Sequence, residues 1–458
     1  MRIILPKNVK ILSEHCSLPL YAVGGYVRNF LIDGSISADL DLAAALSTEE
    51  IKSAAHSCGF TIVCEYKRTG TIVISDGKRK YEYTRFRTDL YSAGGGHKPL
   101  RSEFTNDLTL DAKRRDFKCN AVYYDIKADK IVDPLSGVSD IENKVLDTVI
   151  SPEQVFCSDG LRLMRLARFS AELGFTVREE VLSEAKKYAD NIRDIAPERI
   201  YEELKKILVA DGKYPFSYKR GHYTGIKILE KIGVLDILFP ELTAGRGLGQ
   251  RADFHKYDVL EHSLRSVLYA DKEIRLAALL HDVGKPYCKI QFGTYTGHAE
   301  AGEKIATDIL KRLKADNRTI KKAAFLARWH MFDLKNNEPE SALRLFFVKN
   351  NKYFIDLLNL KQADYSACKD DCSTCPTVIK WRKVYDKMLS DGTPFSVSDL
   401  NISAEELIAI GYKKSKIGEE LKRLFEFAVV NPELNDNAAL QNLAKRDFMG
   451  TPSGLTKA

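Results

Sequence analysis

The 458-residue chain has no apolar run approaching the roughly 18 residues a membrane-spanning helix needs, so no spanning helix is expected. Its opening, MRIILPKNVKILSEH, lacks the long apolar core and small-residue cleavage site of a secretory signal, and a cytoplasmic location is the expectation. No internal period marks a repeat array. No charge of one sign dominates: 70 basic against 63 acidic side chains leave +7, which permits a polyanionic partner only where it gathers on one face. The nine cysteines are scattered without export features, which favours reduced thiols over a disulfide framework.

What is present is ordinary globular composition, 44% hydrophobic and 29% charged, in a chain long enough for about two to four domains. The first 145 or so residues read as α+β. LPLYAVGG is an apolar strand ending in glycines, YVRNFLI has helical spacing, and DLDLA alternates with period two. TGTIVISDGKRKYEYTRF is two β-rich runs about Asp76-Gly77, a strong hairpin signal. From about residue 150 the apolar spacing changes to three and four, as in GLRLMRLARFSAELGF and ERIYEELKKILVA, which predicts a mainly helical remainder.

YAVGGYVRNFLIDGSISADLDLAAALS, residues 21–47, carries the first chemistry. On a strand, residues two apart face one side, so Asp39 and Asp41 are expected to present paired carboxylates about 7 Å apart at Cα. Such a pair suits Mg2+, which prefers a few carboxylates plus phosphate oxygens. Gly24 and Gly25 fall where strand gives way to helix, a place where backbone N–H groups favour an anion, and Arg28 lies one turn on.

In this order and spacing these residues resemble the class II tRNA nucleotidyltransferase and bacterial poly(A) polymerase family, whose first motif is Gly-Gly-x-Val-Arg followed by Asp-x-Asp. RRDFKCNA at 114–121 is similar to a later family element. The resemblance implies that Arg115, Asp116 and Asn120 hold the ribose and phosphates of the incoming nucleotide. DPLSGVSDIENKVLDTV at 133–149 resembles the family's hinge, SDGLRLMRLARFSAELGF at 158–175 its base-reading element, and APERIYEELKKIL at 196–208 the helix that braces it. It implies a nucleotidyltransferase head over 1–145, a neck over 146–215, a helical body over 216–375 and a tRNA-binding tail over 376–458. Implied too are Mg2+ on Asp39 and Asp41, the substrates CTP, ATP and tRNA, and addition of C, C and A. A poly(A) polymerase, or a specialist adding only CC or only A, shares these motifs.

Asp159 and Arg162 are three apart and are expected on one helix face, where a carboxylate and a guanidinium imitate the pairing edge that suits cytosine or adenine. The resemblance adds Arg165 and Arg168 to the nucleotide-binding set. Ser158 stands where the family has Glu, which predicts weaker bracing without loss of selectivity. The loop over 88–110, with three glycines and Pro99, reads as mobile. Family members that add only cytidines have it shortened, so its presence leans towards adenosine addition.

Five of the nine histidines (255, 262, 281, 298 and 330) fall within 76 residues, where uniform scatter gives roughly 1.5. Imidazoles beside carboxylates favour a transition metal or magnesium. LAALLHDVGKP with its neighbours resembles the HD phosphohydrolases. That likeness implies His262, His281, Asp282 and Asp364 as metal ligands, His298 and His330 as holders of a second ion or phosphate, and hydrolysis of phosphoesters at RNA ends. A different class of reading makes this the main activity beside an inert RNA-binding N-terminal module. Cys368, Cys372 and Cys375 are spaced Cys-x-x-x-Cys-x-x-Cys but lack a fourth ligand, and are expected to be inert.

Overall fold

The computed structural model describes residues 2–36, 39–90, 96 and 99–450. Its contacts divide the chain into two units, Met1–Thr243 with Ile309–Ala315, and Ala244–Asp308 with Asp316–Ala458. The class is α+β, with the strands in the first unit and helices after it.

The first unit is built on a seven-stranded sheet of β1 (Tyr21–Val23), β2 (Asp41–Ala44), β3 (Thr61–Tyr66), β4 (Thr71–Ser75), β5 (Lys80–Arg85), β8 (Tyr123–Asp125) and β9 (Lys130–Val132), in the order β3-β4-β5-β2-β1-β8-β9. A separate hairpin pairs β6 (Arg87–Leu90) with β7 (Arg101–Phe104). The Asp76-Gly77 turn closes β4 onto β5 as expected, because the Asp76 carboxylate accepts from the backbone of Lys78 (2.9 Å) and Arg79 (2.7 Å). Along β5, Tyr81 and Tyr83 are buried while Lys80 and Glu82 face out, a period of two that places one carboxylate on the open face.

Helices α1 (Lys7–Glu14), α2 (Gly25–Asp33), α3 (Thr48–Ser57), α4 (Leu108–Lys113) and α5 (Gly137–Glu142) accompany the sheet, and α6 (Pro152–Ser158), α7 (Leu161–Leu173), α8 (Glu179–Lys187) and α9 (Pro197–Leu208) follow. Almost every side chain of α7 is buried. The amphipathic α9 packs against it, through Ile200, Leu204, Ile207 and Leu208 and an ion pair from Arg168 Nε to Glu203 Oε2 (2.6 Å).

Two expectations of local structure change. Strand β2 starts at Asp41, so Asp39 lies in the irregular lead-in and the two aspartates do not share a strand. Asp159 is not on a helix face: with φ −153° and ψ 105° it is an extended residue that ends α6 and precedes α7, and its carboxylate accepts from Leu161 N (2.9 Å). An aspartate competes for nearby backbone N–H groups, which breaks the run into two helices there. Of the glycine-bearing loop, residues 91–95 and 97–98 lie outside the described residues.

The second unit is helical. Its largest buried side chain, Trp381, sits among the rings of Phe332, Phe346, Phe347 and Phe354 and donates its indole N–H to Asp333 Oδ2 (2.9 Å). A further cluster of Leu407, Leu424, Ala428, Leu440 and Ala444 forms near the C-terminal end, behind a helix that Ser403 and Glu406 cap reciprocally. Replacement of Trp381 by alanine is expected to cost about 3–5 kcal/mol. Since Trp329 is then the remaining tryptophan, its fluorescence during denaturant unfolding reports the loss directly.

Candidate active site and metal centre

Sheet register builds the first site. Val23 pairs with Asp41 across β1 and β2, and Asp41 pairs with Glu82 across the parallel β2 and β5, so two carboxylates meet beside the turn into α2. Gly24 makes that turn with φ +77°, a conformation L side chains rarely adopt, and a Cβ on it would lie 3.3 Å from Asp41 Oδ2. Asp41 therefore projects past the N-terminus of α2. It lines a cleft of about 330 Å³ with Glu82, Thr71, Thr84, Arg87, Arg114 and Arg115. Asp41 touches solvent but is crowded by the cleft walls. That crowding raises its pKa to about 6, with Arg115 opposing and Glu82 and Asp39 adding to the rise.

The arginines of the cleft are held from behind. Asp111, fully buried on α4, accepts from Arg114 Nε (2.7 Å), Arg115 Nη2 (3.2 Å), Arg87 N (3.3 Å) and the Tyr123 hydroxyl (2.6 Å). Burial alone would raise its carboxyl; Arg114, Arg115 and the Tyr123 bond overcome that and lower it to about 2. Arg115 donates as well to the Tyr123 hydroxyl (3.0 Å).

A second buried carboxylate, Asp116, joins the sheet region to α7. It accepts from Arg165 Nε (2.7 Å), Asn120 Nδ2 (3.1 Å) and its neighbour's backbone, Phe117 N (2.8 Å). Against the cost of burial, Arg165 and Asn120 bring it to about 2. Asn120 in turn accepts from Arg28 Nη1 (2.6 Å). Arg28 is buried, and its other donors go to Asn29 (2.8 and 3.1 Å) and Tyr214 OH (3.2 Å). Arg162 is buried too and donates to Arg114 O (2.7 Å), Ser158 Oγ (3.0 Å) and Val155 O (3.3 Å). Through its bond to Arg114, α7 reaches the cleft wall.

The second unit gathers the histidines. His262 comes from the helix Val259–Tyr269, His281 and Asp282 from the end of Arg275–Leu280, and His298 from the start of His298–Arg312. His330 follows Asn317–Trp329, and Asp364 lies on Asn351–Lys369. His262 Nε2 is 2.9 Å from Asp364 Oδ1 and 3.5 Å from Asp282 Oδ2, and His281 Nε2 is 3.3 Å from Asp282 Oδ2. His298 and His330 Nε2 lie 3.4 and 3.3 Å from Asp282 Oδ1. Gly284 permits the closeness: a Cβ there would fall 2.1 Å from the His298 carbonyl oxygen.

His281, His298 and His330 each direct Nδ1 at a backbone carbonyl 2.8 Å away. That holds a proton on Nδ1 and turns Nε2 towards Asp282. His298 Nε2 and His330 Nε2 are only 3.2 Å apart. Two imidazoles and a carboxylate oxygen converge there, and Asp282 Oδ1 and His281 Nε2 are buried without hydrogen-bond partners. Such groups are tolerated when a cation sits among them. Two donor sets share Asp282: His262 and His281 on one side, His298 and His330 on the other. Lys285 Nζ is 2.6 Å from Asp282 Oδ2, and with His281 it keeps that carboxyl well below the usual range despite burial.

Residues 20–147 match the Poly A polymerase head domain, 174–245 the probable RNA and SrmB-binding site of polymerase A, and 259–363 the HD domain. The chain is 29% identical to the A-adding tRNA nucleotidyltransferase of Deinococcus radiodurans, over 88% of this chain and 90% of that protein. It is 29% identical to the CC-adding tRNA nucleotidyltransferase of Thermus thermophilus, over 90% and 91% respectively. The chain carries these three domains in order and is similar over most of its length to tRNA nucleotidyltransferases. Its fold is shared by the Bacillus stearothermophilus CCA-adding enzyme solved in complex with CTP, at a TM-score of 0.66 and 20% identity over 97% of this chain and 98% of that one. No helix among the described residues is long and apolar enough to cross a membrane.

In the structure the named residues separate. Asp41 and Arg115 line the cleft, and Asp39 is near enough to act on Asp41. Arg28, Asp116, Asn120 and Arg165 form the buried network behind it, and Arg168 is committed to Glu203 and Glu172. A direct phosphate contact by Arg28 or Arg168 would require these partners to yield. Ser158 does brace Arg162, through a neutral hydroxyl. The three cysteines do not gather into one ligand group among the described residues: Cys372 is exposed, and Cys375 is buried at the start of the helix Pro376–Ser390. Missed by motif reading were Glu82, Arg87, Arg114 and Asp111. The outward phase of Glu82 in β5 and the place of Arg114 at the head of RRDFKCNA were the sequence signals; nothing comparable marked Arg87 or a role for Asp111. Asp111→Asn is expected to loosen Arg114 and Arg115 together, lowering stability by about 3–5 kcal/mol. Denaturant unfolding of the variant beside wild type measures the loss.

Proposed function

We propose that the first unit transfers nucleotides from CTP and ATP to the 3′ end of tRNA, adding C, C and A with release of pyrophosphate. The cleft supports the reading: Asp41, crowded by Asp39 and Glu82, faces Arg87, Arg114 and Arg115 beside the N-terminus of α2. Mutually repelling carboxylates fit a divalent ion, and oxygen donors alone favour Mg2+, on Asp39 and Asp41 with Glu82 at hand. When bound, Mg2+ would make the RNA 3′-hydroxyl more acidic and neutralise charge at the α-phosphate. The chain supplies the rest. Arg114 and Arg115, held by Asp111, take triphosphate oxygens, and the N–H groups at Gly24 and Gly25 add uncharged donors to the same anion. Asp159 accepts from an exocyclic amine while Arg162 donates to the ring, an edge shared by cytosine and adenine. Asp116, with Asn120 and Arg165, fixes the position of α7 and so of the base. The tRNA is held along basic helical surfaces by shape.

We further propose that the HD centre of the second unit hydrolyses phosphoesters at RNA ends. The convergence of buried His262, His281 and Asp282, with Asp282 Oδ1 and His281 Nε2 lacking hydrogen-bond partners, carries this reading. A divalent metal fits His262, His281, Asp282 and Asp364, with His298 and His330 offering a second position, and would supply a nucleophile at neutral pH. A groove of about 570 Å³ lined by Tyr295, His298, Arg328 and Trp329 offers an RNA end both aromatic and charged contacts.

Incubation of tRNA lacking its last three nucleotides with each nucleoside triphosphate decides the product. C, C, A from wild type and from His281→Ala, and no extension by Asp41→Ala, are expected. Long A tracts, or addition of CC or A alone, would contradict the assignment. Extension by Asp41→Ala with biological activity lost only in His281→Ala would instead make the HD centre primary.

The pH dependence follows from Asp41. With its carboxyl raised to about 6, protonation competes with the cation below that value. The Mg2+ needed for half-maximal transfer should rise about tenfold per unit as pH falls below 6 and stay level above 7. An unchanged requirement between pH 5 and 7 would contradict it.

A further inference from the structure

His255 and Cys368 have no part in either centre described above, yet the fold brings them together with His262. The ligand atoms of His255, His262 and Cys368 lie within 4.8 Å of one another. Cys368 is one helical turn beyond Asp364 on the helix Asn351–Lys369, so it shares the face that carries the Asp364 carboxylate. His255 precedes the helix that carries His262, and its ring meets that of His262 edge-on at 4.9 Å.

The segment bearing His255 is fastened to the end of the Cys368 helix. Lys256 N donates to Cys368 O (2.9 Å), and the Asp370 carboxylate accepts from Tyr257 OH, Arg265 and Tyr269 OH (2.9 Å). Two nitrogens then stand out. His262 is fully buried, and because its Nε2 faces Asp364 its Nδ1 is turned elsewhere, buried and without a hydrogen-bond partner. His255 Nδ1 is likewise buried and unpartnered. A buried imidazole nitrogen without a partner carries a desolvation cost that a bound cation would remove.

We propose that His255, His262 and Cys368 form a metal position of their own, adjoining the Asp282 centre through the shared ring of His262, and that it takes a soft divalent transition ion such as Zn2+. The donor set decides the class: two imidazoles and a thiolate suit Zn2+ or Co2+ and are poorly matched to Mg2+ or Ca2+. It differs from the sets about Asp282, which have a carboxylate where this one has a thiolate, so the two can hold different metals. Three protein ligands leave a fourth tetrahedral place open. Binding displaces the thiol proton to solvent and forms an S–metal bond, with no change of oxidation state; where the Asp282 centre is loaded as well, the remaining His262 N–H proton also leaves to solvent and the ring bridges as imidazolate.

Titration of the reduced, metal-free full chain with Co2+ tests this, since thiolate ligation gives an intense charge-transfer band in the near ultraviolet that nitrogen and oxygen ligands do not. The band is expected in wild type, in Cys372→Ser and in Asp282→Asn, which impairs the neighbouring centre alone. It should vanish in Cys368→Ser, and His255→Ala should raise the Co2+ needed for half its intensity about tenfold or more. In wild type, Co2+ should slow alkylation of Cys368, mapped by mass spectrometry, more than that of Cys372. Absence of the band from wild type, or its persistence in Cys368→Ser, would overturn the proposal. Loss in Asp282→Asn would overturn the separateness of the position while leaving the HD centre standing.

Discussion

A buried carboxylate must find a cation, and the first unit is arranged around two that have done so. Asp111 draws Arg114 and Arg115 against the sheet, and Asp116 draws Arg165 from α7 towards the same region. With either carboxylate unpaired, the desolvation cost would be several kcal/mol, so geometry and electrostatics select one arrangement of strand, turn and helix. The guanidiniums are the outer layer of that arrangement. Positive groups that face the cleft owe their direction to acids that do not.

The second unit solves the same problem in the opposite sense. Around Asp282 imidazoles converge, three of them holding an Nδ1 proton against a backbone carbonyl, on a carboxylate whose Oδ1 is buried without a hydrogen-bond partner. Lys285 satisfies one side of Asp282 only. One centre is internally compensated and presents charge outward into its cleft, while the other gathers imidazoles and carboxylates of the kind that suit a metal ion. This difference is why arginine dominates the first and histidine the second.

Local signals in the sequence carried much of this. The Asp76-Gly77 hairpin, the glycine turn into α2, the change to helical periodicity near residue 150 and the histidine clustering all depend on neighbours within a few positions. What motif reading could not supply is what strand register and burial decide. Glu82 meets Asp41 only because β2 pairs in parallel with β5, and Asp111 matters only because Arg87, Arg114 and Arg115 converge on it. Arg28, Arg115 and Arg168 look alike in the sequence, yet two are turned inward to acids, amides and aromatic faces and one lines the cleft. The spacing of Asp159 and Arg162 suggested a shared helix face, whereas the aspartate interrupts the helix and bonds to the backbone beyond it.

The central claim is that the carboxylates beside Gly24 and the residues at the start of α7 address opposite ends of one nucleotide. A crystal structure of the full chain with Mg2+ and a non-hydrolysable CTP analogue tests it most directly. The account predicts the triphosphate between Asp41 and the Arg114–Arg115 pair and the cytosine edge within hydrogen-bond reach of Asp159 and Arg162. A base turned away from α7, or a triphosphate bound outside the cleft, would contradict it.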